Sequence, residues 1–216
     1  MEVIRKPWGF EYLAFENEHV AIWILHINKN HMTSLHCHPS KMTGLIVING
    51  EILINFLNGT TDILRPLSNQ MIYPGRFHQS HALSDNVVLL EIETPVNKND
   101  IIRIRDNYGR ENEKYKYDIM NIPDDITRLF ISESNDSIER YGLNFFVEHG
   151  SLDWIQSKLP SDIIIILRGN IIKYIENSRH NVMKPGTIIT IESLNKVYPH
   201  MSGYSDDFLF LTIRQI

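Results

Sequence analysis

Short apolar runs rich in Ile and Val, each ended by a tight-turn signal, recur along the 216-residue chain and point to a β fold. Val20–Ile27, Gly44–Ile48, Glu51–Phe56, Gln70–Tyr73 and Val87–Ile92 are the clearest in the first half. β-Branched side chains crowd a helix but suit a pleated surface. Between the runs stand Asn49-Gly50, Asn58-Gly59 and Pro74-Gly75. Asn-Gly readily takes the positive φ of a hairpin turn. Many short strands at close spacing predict a sandwich or barrel.

Residues 104–118 are strongly polar. This polarity predicts a domain boundary there or shortly after, dividing the chain into 1–115 and 116–216. Strands resume at Leu143–Val147, Asp162–Leu167, Ile171–Ile175, Thr187–Ile191 and Phe208–Ile213. One short helix is expected at Leu152–Leu159, with Ser151 as N-cap and Asp153 in its first turn. Gly44–Ile54 and Ile164–Lys173 both read as a buried strand, a tight Gly turn (Gly50, Gly169) and a second strand. The halves therefore look like an internal repeat.

A hydrophobic fraction of 43% allows a buried core, and a net charge of −5 argues against a nucleic-acid partner. Cys37 is the single cysteine, so no intramolecular disulfide can form, and it reads as a small buried hydrophobe. The N-terminus has no apolar signal-peptide region, and no run approaches the roughly 20 apolar residues of a membrane helix. The expected compartment is the cytosol, without a membrane partner.

The chemistry concentrates in Ser34-Leu35-His36-Cys37-His38-Pro39-Ser40-Lys41-Met42-Thr43-Gly44. Residues two apart on a strand share a side, so His36 and His38 project together and Cys37 points away. His78, after the turn Pro74-Gly75-Arg76-Phe77, is the natural third metal ligand. This order resembles the two cupin motifs, G-x5-H-x-H-x3–4-E-x6-G and G-x5-P-x-G-x2-H-x3-N. His36, His38, Gly50, Gly75 and His78 keep the spacing, with Pro74 displaced by one. Asn30 replaces the first Gly, and Thr43 stands in the usual glutamate position.

The cupin resemblance implies two jelly-roll barrels in an all-β chain with a few short helices. It also implies a divalent metal: Zn, Fe, Ni, Mn or Co. Without the carboxylate, a neutral three-His site suits Zn or Fe(II) better than the harder Mn(II). His81 supplies a fourth nitrogen only if its loop bends inward, and Thr43 and His81 are candidate substrate contacts. His26 and His31 read as residues without a role.

Three further blocks sharpen the resemblance. Arg5-Lys6-Pro7-Trp8-Gly9-Phe10-Glu11-Tyr12, then Ser34-Leu35, then Glu91-Ile92-Glu93-Thr94-Pro95 with Asp100–Arg110 are similar to the cupin domain of type II mannose-6-phosphate isomerases. The similarity covers about 110 residues of the first half. It implies a sugar phosphate or nucleotide sugar as partner, isomerase or epimerase chemistry, a place in surface polysaccharide synthesis, and a homodimer, as is common among cupins. Such chemistry needs a base to move a proton and a cation for phosphate. Glu91 and Glu93 are the candidate bases, and one of the two is expected to face the interior. Arg103 is the candidate phosphate ligand unless it pairs with Asp100 or Asp106. Lys41 is a second cation and a candidate catalytic group. Trp8 reads as structural.

Counted from Gly169, the His36 and His38 positions fall on Ile155 and Ser157, that of Thr43 on Asp162, and that of His78 near Asn195 or Lys196. His180 and His200 are off-spacing. The second half is thus expected to be a degenerate barrel in a bicupin with one metal site. Two other functions fit the same residues: a three-His Fe(II) dioxygenase, and a non-catalytic sugar-binding or regulatory cupin.

Overall fold

The computed structural model describes residues 2–133, 137–151 and 158–216. The helix expected at Leu152–Leu159, with Ile155 and Ser157, lies almost wholly outside the described residues. The chain divides into two units, Met1–Arg128 and Leu129–Ile216.

The first unit is a pair of antiparallel sheets. Its strands are β1 (Val3–Lys6), β2 (Gly9–Glu16), β3 (Ala21–Ile27), β4 (Leu35–Cys37), β5 (Met42–Asn49) and β6 (Ile52–Phe56), then β7 (Thr61–Leu64), β8 (Asn69–Ile72), β9 (His78–Ala82), β10 (Val87–Thr94), β11 (Ile102–Arg105) and β12 (Ile119–Met120). One sheet runs β12-β1-β2-β3-β10-β5-β8 and the other β11-β4-β9-β6-β7. The chain crosses repeatedly between them, as in a jelly roll. Burial follows from strand periodicity. Ile52, Ile54 and Phe56 are buried while Leu53 and Asn55 are not, so β6 is covered on one face. All seven residues of β3 are buried, so it is covered on both. Trp23, Leu25, Leu45, Val47, Ile54 and Leu89 form the centre of the core.

The division falls later than the polar segment suggests. Tyr108 and Tyr115 pack against the first core, and β12 pairs with β1. Two aromatic rings outweigh the surrounding charge and hold this stretch on the first barrel.

The hairpin between β5 and β6 turns at Gly50, whose φ is +79. A Cβ there would lie 2.6 Å from Ser84 Oγ and 2.9 Å from Val87 Cγ2. Gly59 has a similar φ of +83 but nothing within 4 Å. Gly50→Ala is therefore expected to cost about 2–4 kcal/mol, against about 1–2 kcal/mol for Gly59→Ala. Urea midpoints measure the difference. Equal losses would show that crowding at Gly50 contributes nothing.

The second unit holds β13 (Ile138–Arg140), β14 (Leu143–His149), β15 (Ile163–Arg168), β16 (Ile171–Ile175), β17 (Ser178–Met183), β18 (Ile188–Thr190), α1 (Ile191–Val197), β19 (Gly203–Tyr204) and β20 (Leu209–Gln215). Its sheets run β13-β14-β20-β15-β18 and β17-β16-β19. Residue 191, expected at the end of a strand, instead begins α1, because Thr190 Oγ1 accepts the Ser193 amide as an N-cap.

Local bonds repeat between the units. The Glu51 amide donates to Ser84 Oγ at 2.8 Å, and the Asn170 amide to Ser205 Oγ at 2.9 Å. Leu67 N donates to Val47 O, and Gly186 N to Ile166 O. The spacing from Gly50 to Gly169 also separates Val47 from Ile166 and Ser68 from Thr187. At the Thr43 position the second unit carries Asp162, wholly buried and gripped by Arg214 through Nη2–Oδ2 at 2.6 Å and Nε–Oδ1 at 2.9 Å.

Candidate metal centre and its charged wall

His36 sits in the middle of β4, directly opposite His78 at the start of β9. His38 lies two residues beyond His36 and so faces the same way. The Gly75 amide donates to the His38 carbonyl at 2.8 Å, tying the Tyr73–Arg76 turn to this strand end and setting where β9 begins. The three rings converge, with centroids 4.9 Å apart for His36 and His38, 4.4 Å for His36 and His78, and 5.5 Å for His38 and His78. One nitrogen from each lies within 4.8 Å of the others. Nitrogens around one tetrahedral zinc stand about 3.3 Å apart at bonds of about 2.0–2.1 Å, so modest ring rotations close the set.

Hydrogen bonds decide which nitrogens face the ion. His36 Nδ1 meets Ser34 O at 2.8 Å, His38 Nδ1 meets Asp100 O at 2.7 Å, and His78 Nδ1 meets Arg76 O at 3.2 Å. A carbonyl oxygen only accepts, so each Nδ1 carries the proton and each Nε2 keeps a lone pair. His38 Nε2 is buried with no hydrogen-bond partner. Burial keeps the rings neutral: it lowers His38 to about 3, His78 to about 4, and His36 well below its ordinary value. Neutral imidazoles with fixed tautomers and inward lone pairs fit a divalent metal. Among the described residues no other group of His, Cys, Asp and Glu comes together in this way.

The cavity beside His36 and His38 is lined by a charged wall. Glu11, Lys41, Glu91, Glu93, Lys98, Arg103 and Tyr115 all border it. Both β10 glutamates face inward, not one, because residues 91 and 93 are two apart on one strand. Lys41 Nζ and Lys98 Nζ stand 2.9 and 2.8 Å from Glu93 Oε1. Lys98 also reaches Glu91 at 3.5 Å and Glu11 at 3.8 Å. Glu11 accepts the Tyr115 hydroxyl, and Lys6 lies 3.5 Å away. Burial raises both β10 carboxyls, but Lys98 and Lys41 outweigh it at Glu93 and hold it at about 2. At Glu91 burial wins over Lys98, with Glu93 adding repulsion, and the carboxyl rises to about 7.

The remaining expected residues are placed as follows. Arg103, on β11, borders the cavity and donates to Glu113 O at 2.6 Å, while its Nε is buried without a partner. Neither Asp100 nor Asp106 pairs with it. Asp100 accepts the Ser40 and Lys41 amides, and Asp106 takes a two-bond grip from Arg110. Thr43 is fully buried on β5 opposite Glu93, and His81 lies on β9 opposite Leu53; neither borders the cavity. His81 follows His78 by three residues, which puts it on the other face of β9. Cys37 is buried, as expected. His26 stacks on Phe10 at 4.3 Å and is not part of the cavity wall.

Sequence reasoning missed Glu11, Lys98 and Tyr115. Glu11 had a signal, being a charge at an inward position of an apolar strand. Lys98 and Tyr115 lie outside the strands and had none.

No family model matches the chain, and no curated protein's sequence does. Solved structures of cupin and double-stranded β-helix proteins are similar to part of it. KdgF from Halomonas sp. is 13% identical over 43% of this chain and 84% of its own, with a TM-score of 0.41. An RmlC-like cupin from Shewanella frigidimarina is 16% identical over 45% of this chain and 86% of its own, with a TM-score of 0.41. A sugar phosphate isomerase of the cupin superfamily from Silicibacter pomeroyi is 17% identical over 36% and 52%, with a TM-score of 0.33. Likenesses this partial say nothing of chemistry, which rests on the residues of the cavity.

No helix among the described residues is long and apolar enough to cross a membrane.

Proposed function

We propose that the first unit is a divalent-metal enzyme that shifts a proton within a small anionic sugar, a sugar phosphate or nucleotide sugar, in the manner of an isomerase or epimerase. The observation that carries this reading is one cavity with inward imidazole lone pairs on one side and a lysine-held pair of carboxylates on another. The wall presents Lys6, Lys41, Lys98, Arg103 and Arg110 against Glu11, Glu91 and Glu93. Asp106 neutralises Arg110, so one cation is left over even before an ion is added. That balance favours an anion, although the chain as a whole is acidic.

His36, His38 and His78 would hold the metal, which when bound supplies a Lewis acid for a carbonyl or hydroxyl oxygen. Glu91 moves the proton, since its carboxyl sits near neutrality and faces the cavity. Glu93 stays ionised as counter-charge to Lys41 and Lys98. Arg103 takes the phosphate from its place on the cavity wall, with one of its five N–H donors engaged by Glu113 O. The second unit, with Asp162 tied to Arg214 where the first has Thr43, is read as a barrel kept for structure.

The test is an isomerisation assay on hexose phosphates and nucleotide sugars in D2O with Zn, Co, Ni, Mn or Fe(II) restored singly. Deuterium should enter the carbon next to the carbonyl, and Glu91→Gln should slow this by roughly 10²–10⁴-fold with metal retained. Oxygen consumption with iron would replace the isomerase reading with a dioxygenase. Saturable sugar binding without turnover would replace it with a binding protein.

A further inference from the structure

The segment between β10 and β11 has no strand or helix, yet it touches the site at several points. Asn97 O accepts from Lys41 Nζ at 3.2 Å. The Asp100 carbonyl accepts from His38 Nδ1, and its carboxylate accepts the Ser40 and Lys41 amides at 2.9 and 2.8 Å. Between these anchors Lys98 points inward. Its ammonium lies 4.0 Å from the centre of the Trp23 ring, with the three carboxylates around it.

The three carboxylates are not equivalent. Glu93 is clasped by two lysines, and its side chain is 1% exposed. Glu11 is engaged by Tyr115 and Lys6 as well as Lys98. Glu91 has Lys98 as its ion-pair partner, and its side chain is 13% exposed. Of the three cavity carboxylates it is the most exposed, and Lys98 is the cation within ion-pair distance of it.

We propose that Lys98 is the positioning residue of this site, gathering Glu91, Glu93 and Glu11 around one ammonium so that Glu91 can both hold and release a proton. This rests on the reading of Glu91 as proton carrier. Facing Glu91 are Lys98 from the segment, Glu93 on the same strand, Lys41 from the β4–β5 turn, Glu11 from β2 and Tyr115. Remove Lys98 and burial with two like charges remains, opposed by Lys41 alone; Glu91 then stays protonated and ceases to be a base.

The experiment follows the δ-carbon signals of ¹³C-labelled glutamates through a pH titration of the full chain loaded with Zn(II), and needs no substrate. Lys98→Met should raise the Glu91 midpoint by about one unit or more, a tenfold gain in proton affinity or greater. Lys98→Arg should restore most of it. Lys41→Met should move it less, because Lys41 touches Glu93 instead. An unchanged midpoint in Lys98→Met, or an equal shift in Lys41→Met, would overturn the proposal. Should Lys98→Met fail to fold, the wild-type Lys98 ¹⁵Nζ shift decides. It should titrate with Glu91, and a flat response through that midpoint would be fatal to the idea. A shift found alongside absent isomerase activity would leave the role of Lys98 standing and remove only the reaction.

Discussion

His78→Ala is expected to weaken Zn(II) binding by on the order of 10²–10³-fold. Four-ligand zinc sites in small domains bind with apparent energies of about 10–16 kcal/mol, so one ligand accounts for roughly 3–4 kcal/mol. The rings of His36 and His38 would still converge, because their Nδ1 bonds go to Ser34 and Asp100, not to His78. The remaining pair is therefore preorganised but too few to compete with a chelator. Competition against a chromophoric chelator measures the loss. His81→Ala is the matched control and should leave affinity unchanged, since His81 is not among the converging nitrogens. Equal losses from both substitutions would mean that the ion sits elsewhere. The same site should raise thermal stability of the wild type by about 4 kcal/mol at a zinc concentration 1,000 times Kd, and not that of His78→Ala.

The second large effect is acid lability of the metal-free chain. His26, His36, His38 and His78 are buried and neutral, with burial lowering His26 and His78 to about 4, His38 to about 3, and His36 well below its ordinary value. The unfolded chain takes up their protons near pH 6.5, while the folded chain resists until far lower. Stability is thus present above pH 6.5 and lost as pH falls toward 4. Glu91 works the other way. Its folded pKa of about 7 exceeds the unfolded value, so between roughly pH 4.5 and 7 the folded form binds the extra proton and offsets one histidine. Three net protons give a slope of about 4 kcal/mol per pH unit at its steepest. Two units of that come to about 8 kcal/mol, comparable with the whole stability of an ordinary domain, about 5–15 kcal/mol. Urea midpoints taken in chelator should fall steeply between pH 6 and 5. A flat profile over that range would mean that these rings are solvated or already charged in the folded state.

How much of this was legible in the sequence differs by element. The pairing of His36 with His38 is a strand-period argument and needs no tertiary information. His78 needed only the turn at Pro74-Gly75, because β9 starts immediately after it. The core strands were visible because Ile and Val runs alternate with Asn-Gly turns. The start of α1 was not, since Ile188–Ile191 reads as a strand until the Thr190 cap is seen to hold Ser193. The unit boundary was misplaced because Tyr108 and Tyr115, set among charges, look solvated on a composition scale and are packed in the fold. The charged wall was the least accessible feature. Its members come from β2, the β4–β5 turn, β10, the segment after β10, β11 and the polar stretch beyond it, and nothing local relates Lys98 to Glu11. Only closure of the barrel brings Glu11, Lys41, Glu91, Glu93, Lys98 and the Tyr115 hydroxyl into one network.

X-ray absorption at the zinc edge of the full chain, loaded with one equivalent of Zn(II), is the most direct measurement. Three imidazole nitrogens at about 2.0–2.1 Å, with histidine multiple scattering that falls to two rings in His78→Ala, is the expected spectrum. A first shell of oxygen alone, or one indifferent to the loss of His78, would contradict it.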